Sequence, residues 1–461
     1  MRIDQIELFY VSIPLAKKKP GFFAEHPYFS PSWIPGFRQS EVRFYLLKLT
    51  TDEGHEGVAA MPAMGPERNG IGTLLGNYLL GINPMDIQLV NQRIQEFSYL
   101  GMRNTWVDAA FWDIIGKVKG EPLWKIFGGT GGHIKPYAST GSTHGHDPVK
   151  VREIIKRRQD EGFEGVKLRV KSNEVAPMVD YIGAAREAAG KDLQLMVDAN
   201  QGWPVDILDE TPKWDVEFAT QFARAIEPFD ISWLEEPLNR GNFEGLAALR
   251  RSTKVPIAGA EMNSSWRDFQ AMLSLGSLDI YQPDAVLVGG TYAGGISVTT
   301  WLIKELLAQK SSPSDSQSTE QDAIAAKGKC RFCPHTWTTG LGFAIALQLV
   351  GILPPEERKL LEYPLEGHWE PAHWARFIRG GFPINADGAI QIPDTPGLGV
   401  EIDWSVIKKF GKRVYLGNQR TVGLGTLFDR GWKRTMYLKG KKEEQLARSA
   451  QATFSIPKPP F

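Results

Sequence analysis

The chain has 461 residues, 42% hydrophobic and 23% charged, and its 53 Lys and Arg balance 53 Asp and Glu. That length exceeds an ordinary single domain unless an α/β barrel takes most of it, and the neutral balance speaks against a polyanion-binding protein. No apolar run approaches the ~18 to 20 residues needed to cross a bilayer, Met1 to Leu15 does not resemble a signal peptide, and the two cysteines, Cys330 and Cys333, are too few for a disulfide framework. A cytoplasmic enzyme or binding protein is expected.

Residues 1–132 open with alternating apolar runs (Ile3 to Ile13, Val42 to Thr50) and then turn helical around Val107 to Ile115, which predicts an α+β domain. Within it, Pro20 to Phe37 reads as a long loop rich in Pro and aromatics. From Lys135 the rhythm changes to short apolar runs that finish in polar residues, mostly separated by stretches long enough for a helix. Eight runs are counted: Pro136 to Thr140, Gly165 to Val170, Leu193 to Asn200, Ile231 to Pro237, Val255 to Glu261, Leu278 to Asp284, Arg331 to His335 and Leu360 to Tyr363. Amphipathic stretches such as Val149 to Glu161, Val175 to Ala189, Phe218 to Glu227 and Trp266 to Leu275 lie between them. Eight such units predict a (β/α)8-type, modified TIM barrel over residues 133–368, with the α+β unit as a capping domain. Gly202 to Glu217 and the polar Gln309 to Lys329 interrupt the pattern, the second as a solvated insertion. Residues 369–404 are turn-rich, too short to fold alone, and expected to pack back on the cap. Residues 405–461 form a basic extension: Ile407 to Phe461 holds 13 Lys and Arg against 3 Asp and Glu. A solvated extension or subunit contact is the reading for it, ahead of nucleic-acid binding.

Catalytic groups of a barrel sit at the carboxyl ends of its strands. Strand three ends in Asp198-Ala199-Asn200, strand four in Glu235-Glu236-Pro237 and strand five in Glu261. Three crowded carboxylates cannot all stay ionised without a cation, and an all-oxygen set favours Mg²⁺ over Zn²⁺; capping of the following helices is the plainer alternative. Strand two puts Lys167, Arg169 and Lys171 on one face. Lys167 and Arg169 are candidates to grip a substrate carboxylate or stabilise an enolate oxygen, or else to pair with the barrel's own acids. Strand six ends at Asp284 and strand seven at His335, a pair in which the carboxylate would orient the imidazole as a proton carrier. Glu362 on strand eight is a candidate substrate contact, with helix capping as the alternative. Cys330-Arg331-Phe332-Cys333 lacks the second pair of a zinc site. Gly289-Gly290 and Gly294-Gly295 lack a phosphate-loop pattern and read as a tight loop.

Together, Phe111-Trp112-Asp113-Ile114-Ile115-Gly116-Lys117, Pro122-Leu123-Trp124, Gly165-Val166-Lys167-Leu168-Arg169, Val197-Asp198-Ala199-Asn200, Trp233-Leu234-Glu235-Glu236-Pro237, Gln282-Pro283-Asp284, Pro334-His335-Thr336 and Pro396-Gly397-Leu398-Gly399-Val400 resemble the mandelate racemase branch of the enolase superfamily. The resemblance runs from Met1 to Asp403. It implies a cap closing over a Mg²⁺ held by Asp198, Glu235 and Glu261, with the Pro20 to Phe37 loop shaping substrate choice. It also implies removal of a proton next to a carboxylate, giving an enediolate stabilised by the metal and Lys167, with His335, oriented by Asp284, as base. Arg169 stands where a racemase of this branch carries a second lysine, and Asn200 where some of its dehydratases carry a second imidazole. The expectation is therefore syn dehydration of a sugar acid to a 2-keto-3-deoxy acid through His335. The alternatives are a racemase or epimerase of a carboxylate substrate and a non-catalytic Mg²⁺- and acid-binding scaffold. A homo-oligomer is expected, with neither nucleic acid nor membrane as partner. The choice of acid rests on how His26, Tyr28, Trp33, His144, His146, Trp203 and Trp337 fold over the mouth.

Overall fold

The computed structural model describes residues 1–15, 40–99, 103–140, 142–203, 213–288, 293–311, 332–365 and 369–449. Pro20 to Phe37 with His26, Tyr28 and Trp33, the Gly289-Gly290 pair, Cys330 and residues 312–329 of the polar insertion lie outside them. Among the described residues no helix is long and apolar enough to cross a membrane.

Alternating apolar residues make strands β1 (Ile3–Pro14), β2 (Glu41–Thr51) and β3 (Glu56–Pro62), which form an antiparallel sheet in the order β12-β1-β2-β3. Its outer member, β12 (Gly411–Asn418), comes from the basic extension and runs antiparallel to β1. A solvated extension or subunit contact is the sequence expectation there, without a strand. Lys412 and Arg413 hide the strand signal, because charged side chains are tolerated on a sheet edge and protect it. Against this sheet pack α1 (Ile71–Leu79), α2 (Ile87–Ser98) and α3 (Asp108–Lys119), the last buried along most of its length, and the short α4 (Leu123–Ile126) follows. The Pro396 to Gly399 turn docks on α3, where Leu398 N donates to Asp113 Oδ1 (3.0 Å).

The second body is a curled parallel sheet: β4 (His133–Ser139), β5 (Gly165–Arg169), β6 (Gln194–Asp198), β7 (Ile231–Glu235), β8 (Ile257–Gly259), β9 (Ile280–Tyr281) and β10 (Leu360–Pro364), with β10 paired back to β4. β11 (Ile390–Gln391) adds antiparallel to β4. The seventh barrel position is a bridge in place of a strand: Phe332 pairs with Tyr281, and Cys333 N and His335 N donate to Tyr281 O and Gln282 O. Towards β10 the bonds described are made by side chains, from Cys333 Sγ to Leu360 O and from Thr336 Oγ1 to Glu362 O. The outer helices include α5 (Pro148–Asp160), α6 (Val175–Ala189), α7 (Val216–Ile226), α8 (Phe243–Ser252), α9 (Trp266–Leu275) and α10 (Gly295–Ser311). The fold is thus the (β/α)8-type barrel with an α+β cap.

Inside the ring, strand alternation stacks two layers. Tyr137, Met196, Trp233, Ala258, Ile280, Cys333 and Leu360 form one buried apolar cluster. Gly165 completes this layer because a methyl there would stand 3.0 Å from both Tyr137 and Leu360. At seven of these eight positions the residue two further on points the same way one step nearer the mouth. Those residues are Ser139, Lys167, Asp198, Glu235, Gln282, His335 and Glu362. The apolar floor therefore sets the height of the polar layer above it.

Cap and barrel are joined by a buried polar knot. Asp108 Oδ2 accepts from Ser297 N (3.1 Å) and Oγ (3.3 Å), and Asn91 Oδ1 accepts from Gly294 N (2.9 Å). Gly294 permits the approach, because a methyl there would lie 2.0 Å from Asp108 Cγ. This close contact serves α3 of the cap, where the sequence left the Gly294-Gly295 pair as a tight loop.

Candidate active site

Arg169, Asp198 and Glu235 are register neighbours on β5, β6 and β7, so their side chains stand in a row on the inner face. Beyond β8 the chain departs from alternation: Ala260 takes a left-handed φ of 77°, which brings Glu261 to the mouth in place of residue 260. Asn200 (φ 48°) and Glu236 (φ 45°) turn their chains in the same region of backbone space. Non-glycine residues held there mark places where surrounding structure overrides local preference.

The acids of this row are buried, with Asp198 and Glu235 each 1% exposed. Burial pushes the Asp198 carboxyl up to about 7, with Glu235 and Glu261 adding to the effect and Arg169 and Lys167 opposing it. Glu235 Oε2 accepts from Trp233 Nε1 (3.0 Å) and Gln282 Nε2 (2.8 Å). Glu261 Oε1 accepts from Trp203 Nε1 (2.9 Å). Glu236 is also buried, its two oxygens have no hydrogen-bond partner among the described residues, and burial together with Glu261, Asp198 and Glu235 holds its carboxyl well above the usual range.

Lys167 is fully buried, with Nζ 2.6 Å from Glu235 Oε1, 2.7 Å from Glu362 Oε1 and 3.7 Å from Asp198 Oδ2. Burial alone would lower its pKa, but these carboxylates more than offset that and keep the ammonium charged. Arg169 pairs with Asp198 and donates to Asn200 Oδ1 (2.8 Å) and Thr140 O (2.8 Å), with its guanidinium 5.4 Å from the Trp337 ring. Of the alternatives the sequence left for these cations, pairing with the barrel's own acids is what the structure displays.

Across the mouth, His335 Nδ1 lies 2.9 Å from Asp284 Oδ2 and Nε2 lies 3.5 Å from Glu261 Oε2. With Nδ1–H donating its hydrogen bond to Asp284, Nε2 is left as the basic nitrogen. Burial opposes the charged ring, yet Glu261, the Asp284 hydrogen bond and Glu362 raise its pKa to about 9. Glu362, a candidate substrate contact in the sequence, is engaged within the protein. It is fully buried, and its carboxylate accepts from Ser139 Oγ (2.7 Å), Thr336 N (2.9 Å) and Trp337 Nε1 (3.0 Å) besides facing Lys167. Burial would raise its carboxyl, but Lys167 and His335 outweigh that and draw it down to about 2.

Two histidines of the β4 loop have local work. His146 Nε2 accepts from Lys171 N (3.1 Å), and burial lowers the His144 ring to about 4, so it stays neutral. Ser139, Gln282 and Trp233 were not singled out as functional in the sequence, although each lies in the two-layer pattern. Glu236 carried no signal beyond its place beside Glu235.

Among the described residues no three of His, Cys, Asp and Glu converge as closely as a bound ion would draw them. The Lys167 ammonium lies against Asp198 and Glu235 there. The donor chemistry nonetheless fits a hard divalent cation: Asp198, Glu235, Glu236 and Glu261 are buried acids that repel one another, and Glu236 is unpartnered.

Comparison with known proteins agrees with this fold. A model of the enolase C-terminal domain-like family matches residues 150–294 and 316–406, and one of the mandelate racemase / muconate lactonizing enzyme N-terminal domain matches residues 24–128. The chain is 29% identical over 391 residues to L-talarate/galactarate dehydratase of Salmonella typhimurium, covering 81% of this chain and 85% of that protein. It is 27% identical over 399 residues to D-galactarolactone cycloisomerase of Agrobacterium fabrum, covering 81% and 94%. A solved L-talarate dehydratase from a Polaromonas species, complexed with Mg and L-glucarate, shares the fold with TM-score 0.67 at 22% identity, over 91% of this chain and 99% of that one.

Proposed function

Because the chain belongs to the mandelate racemase/muconate lactonizing enzyme family of the enolase superfamily, we propose that it is a Mg²⁺-dependent hydro-lyase that converts a sugar acid to a 2-keto-3-deoxy acid. Asp198, Glu235 and Glu261 would hold the ion, which supplies a Lewis acid for the substrate carboxylate. The observation that carries the reading is one-sidedness: a single imidazole is poised on Asp284, and both groups opposite it are committed cations.

His335 Nε2 takes the proton from the carbon next to the substrate carboxylate, and the electron pair left behind spreads into that carboxylate. The positive charge of Lys167, across from His335, stabilises the negative charge as it develops on that carboxylate. When the pair returns to break the bond from the β-carbon to its hydroxyl, the imidazolium gives its proton to the leaving oxygen and water departs. The resulting enol rearranges to the 2-keto acid. Atoms and charge balance with no further reactant, and one group acts first as base and then as acid. Arg169, charged and held by Asp198, Asn200 and Thr140, is unsuited to be the second base of a racemase.

A second reading, cycloisomerisation of a sugar lactone, is favoured by the Agrobacterium fabrum relative, which aligns over 94% of its length. Incubation with Mg²⁺ and a panel of mono- and diacid sugars and their lactones in D₂O separates the readings. A semicarbazide-reactive keto acid formed from a free acid with loss of water supports dehydration. Opening of a lactone to an isomeric product without loss of water supports the cycloisomerase, and stereochemical scrambling with no keto product supports a racemase. Metal binding without proton exchange on any acid would leave a scaffold.

A further inference from the structure

Beneath the apolar floor of the barrel, at the amino-terminal ends of its strands, lies a cavity of about 410 Å³. Its inner end is the underside of that floor, where Trp233, Ile280, Cys333 and Leu360 line it. Two positions before Met196, Trp233 and Ala258, strand alternation leads to a third layer, and there stand Gln194, Ile231 and Pro256. These three also line the cavity, so the layer is open on this side, whereas a barrel interior is ordinarily filled by successive layers of side chains. The acids and His335 face the other end of the strands, and this opening is no part of the mouth.

The rim is cationic. Arg186, Lys191, Lys254 and Lys359 stand around the opening, with Asp230 as the one acid in the lining. Arg186 is committed to the backbone: it donates to Phe229 O (2.7 Å), Gly190 O (2.9 Å), Leu193 O (2.9 Å) and Asp230 O (3.0 Å). The carbonyl groups that crowd this end of the barrel thus have their counter-charge, and the lysines are left over. All three are exposed, and none is ion-paired among the described residues. A cleft edged by one sign of charge concentrates ions of the opposite sign. An inorganic anion would leave the apolar floor wet, and a neutral apolar molecule would make no use of the lysines. A molecule with an apolar body and one carboxylate answers both surfaces.

We propose that this cavity is a second binding site, for a small carboxylic acid with an aromatic or branched apolar body. The body lies against Trp233, Ile280 and Leu360, and the carboxylate meets Lys254 and Lys359 at the rim. Cavities of about 300–1,000 Å³ that combine an apolar wall with a few polar groups are the common form of small-molecule sites. Trp233 joins the two ends of the barrel, since its ring lines the cavity while Nε1 donates to Glu235 Oε2 (3.0 Å). An occupant therefore rests on the back of the polar layer, whatever reaction that layer performs.

The probe is 4-benzoylbenzoate, an aromatic monoacid whose ketone couples to neighbouring C–H bonds under ultraviolet light. With the full chain in EDTA, isothermal titration calorimetry is expected to show saturable binding that Mg²⁺ leaves unchanged. The neutral amide of the probe should bind at least about tenfold more weakly, and so should the acid to the double variant Lys254→Glu with Lys359→Glu. An unchanged far-UV circular dichroism spectrum shows that this variant is folded. After irradiation of the wild type, fragment mass spectra should place the label on residues 191–194, 230–233 or 359–360. Absence of saturable binding, equal affinity for acid and amide, full affinity in the double variant, or a label on Trp203 or Trp337 at the mouth would each overturn the proposal.

Discussion

His335 and Lys167 are both surrounded by carboxylates, and the consequences differ. For His335, the hydrogen bond from Nδ1 to Asp284 selects the tautomer and raises the basicity of Nε2. Asp284→Asn should lower kcat by about 10²–10⁴ and move the acidic limb of the kcat/KM profile to lower pH, since a ring deprived of its carboxylate loses its proton more readily. His335→Asn should abolish both α-proton exchange in D₂O, followed by NMR, and keto-acid formation; exchange persisting at the normal rate would transfer the base role elsewhere. Glu362→Ala leaves the Lys167 ammonium paired with Glu235 but deprives the buried Ser139 Oγ and Thr336 N and the part-buried Trp337 Nε1 of this acceptor, so it should lower unfolding free energy by about 1–3 kcal/mol in a denaturant titration.

At the scale of elements, the α3–α10 contact carries its own pH signature. Burial raises the Asp108 carboxyl from 3.8 to about 7, and its Oδ1 has no partner among the described residues. Between these two values the folded chain keeps a proton that the unfolded chain has released, so stability falls as pH rises through that window, by at most about 4 kcal/mol. Asp108→Asn needs no ionisation and keeps an acceptor for Ser297, so its melting temperature should rise relative to wild type between pH 4 and pH 8. A constant difference across that range would refute the account. Much of this architecture was legible beforehand. Residues 165–169, 194–198 and 231–235 form strands because buried parallel strands are uninterrupted apolar runs closed by a polar end. Val175–Ala189 and Trp266–Leu275 are helices with the bounds their periodicity indicates. The edge strand β12 was not legible, since half-exposed Lys412 and Arg413 give it no apolar face to announce. The positions of Asp198, Glu235, Asp284 and His335 followed from strand ends, whereas the engagement of Glu362 and Arg169 depends on side chains from other strands and could not be read along the chain.

For the molecule as a whole, the uncompensated acids at the mouth make ion binding a stability term. A ligand bound only by the folded state adds RT ln(1 + [L]/Kd), about 2.7 kcal/mol at a hundredfold excess over Kd. Mg²⁺ should raise the melting temperature, EDTA should reverse the rise, and Asp198→Asn should remove it; a wild-type melting curve indifferent to the ion would count against the proposed ligands. The seventh barrel position has a different consequence. Seven staves carry main-chain ladders among the described residues, while Phe332 to His335 meets β9 through a bridge and the Cys333 N and His335 N bonds, and its described bonds to β10 run through the Cys333 and Thr336 side chains. A ring fastened in this way opens first along its weakest joint. Deuterium should enter the Phe332 to His335 amides before those of β5 and β6, and because the joint ends in His335, transient parting there would disturb the proton carrier ahead of any other group in the barrel.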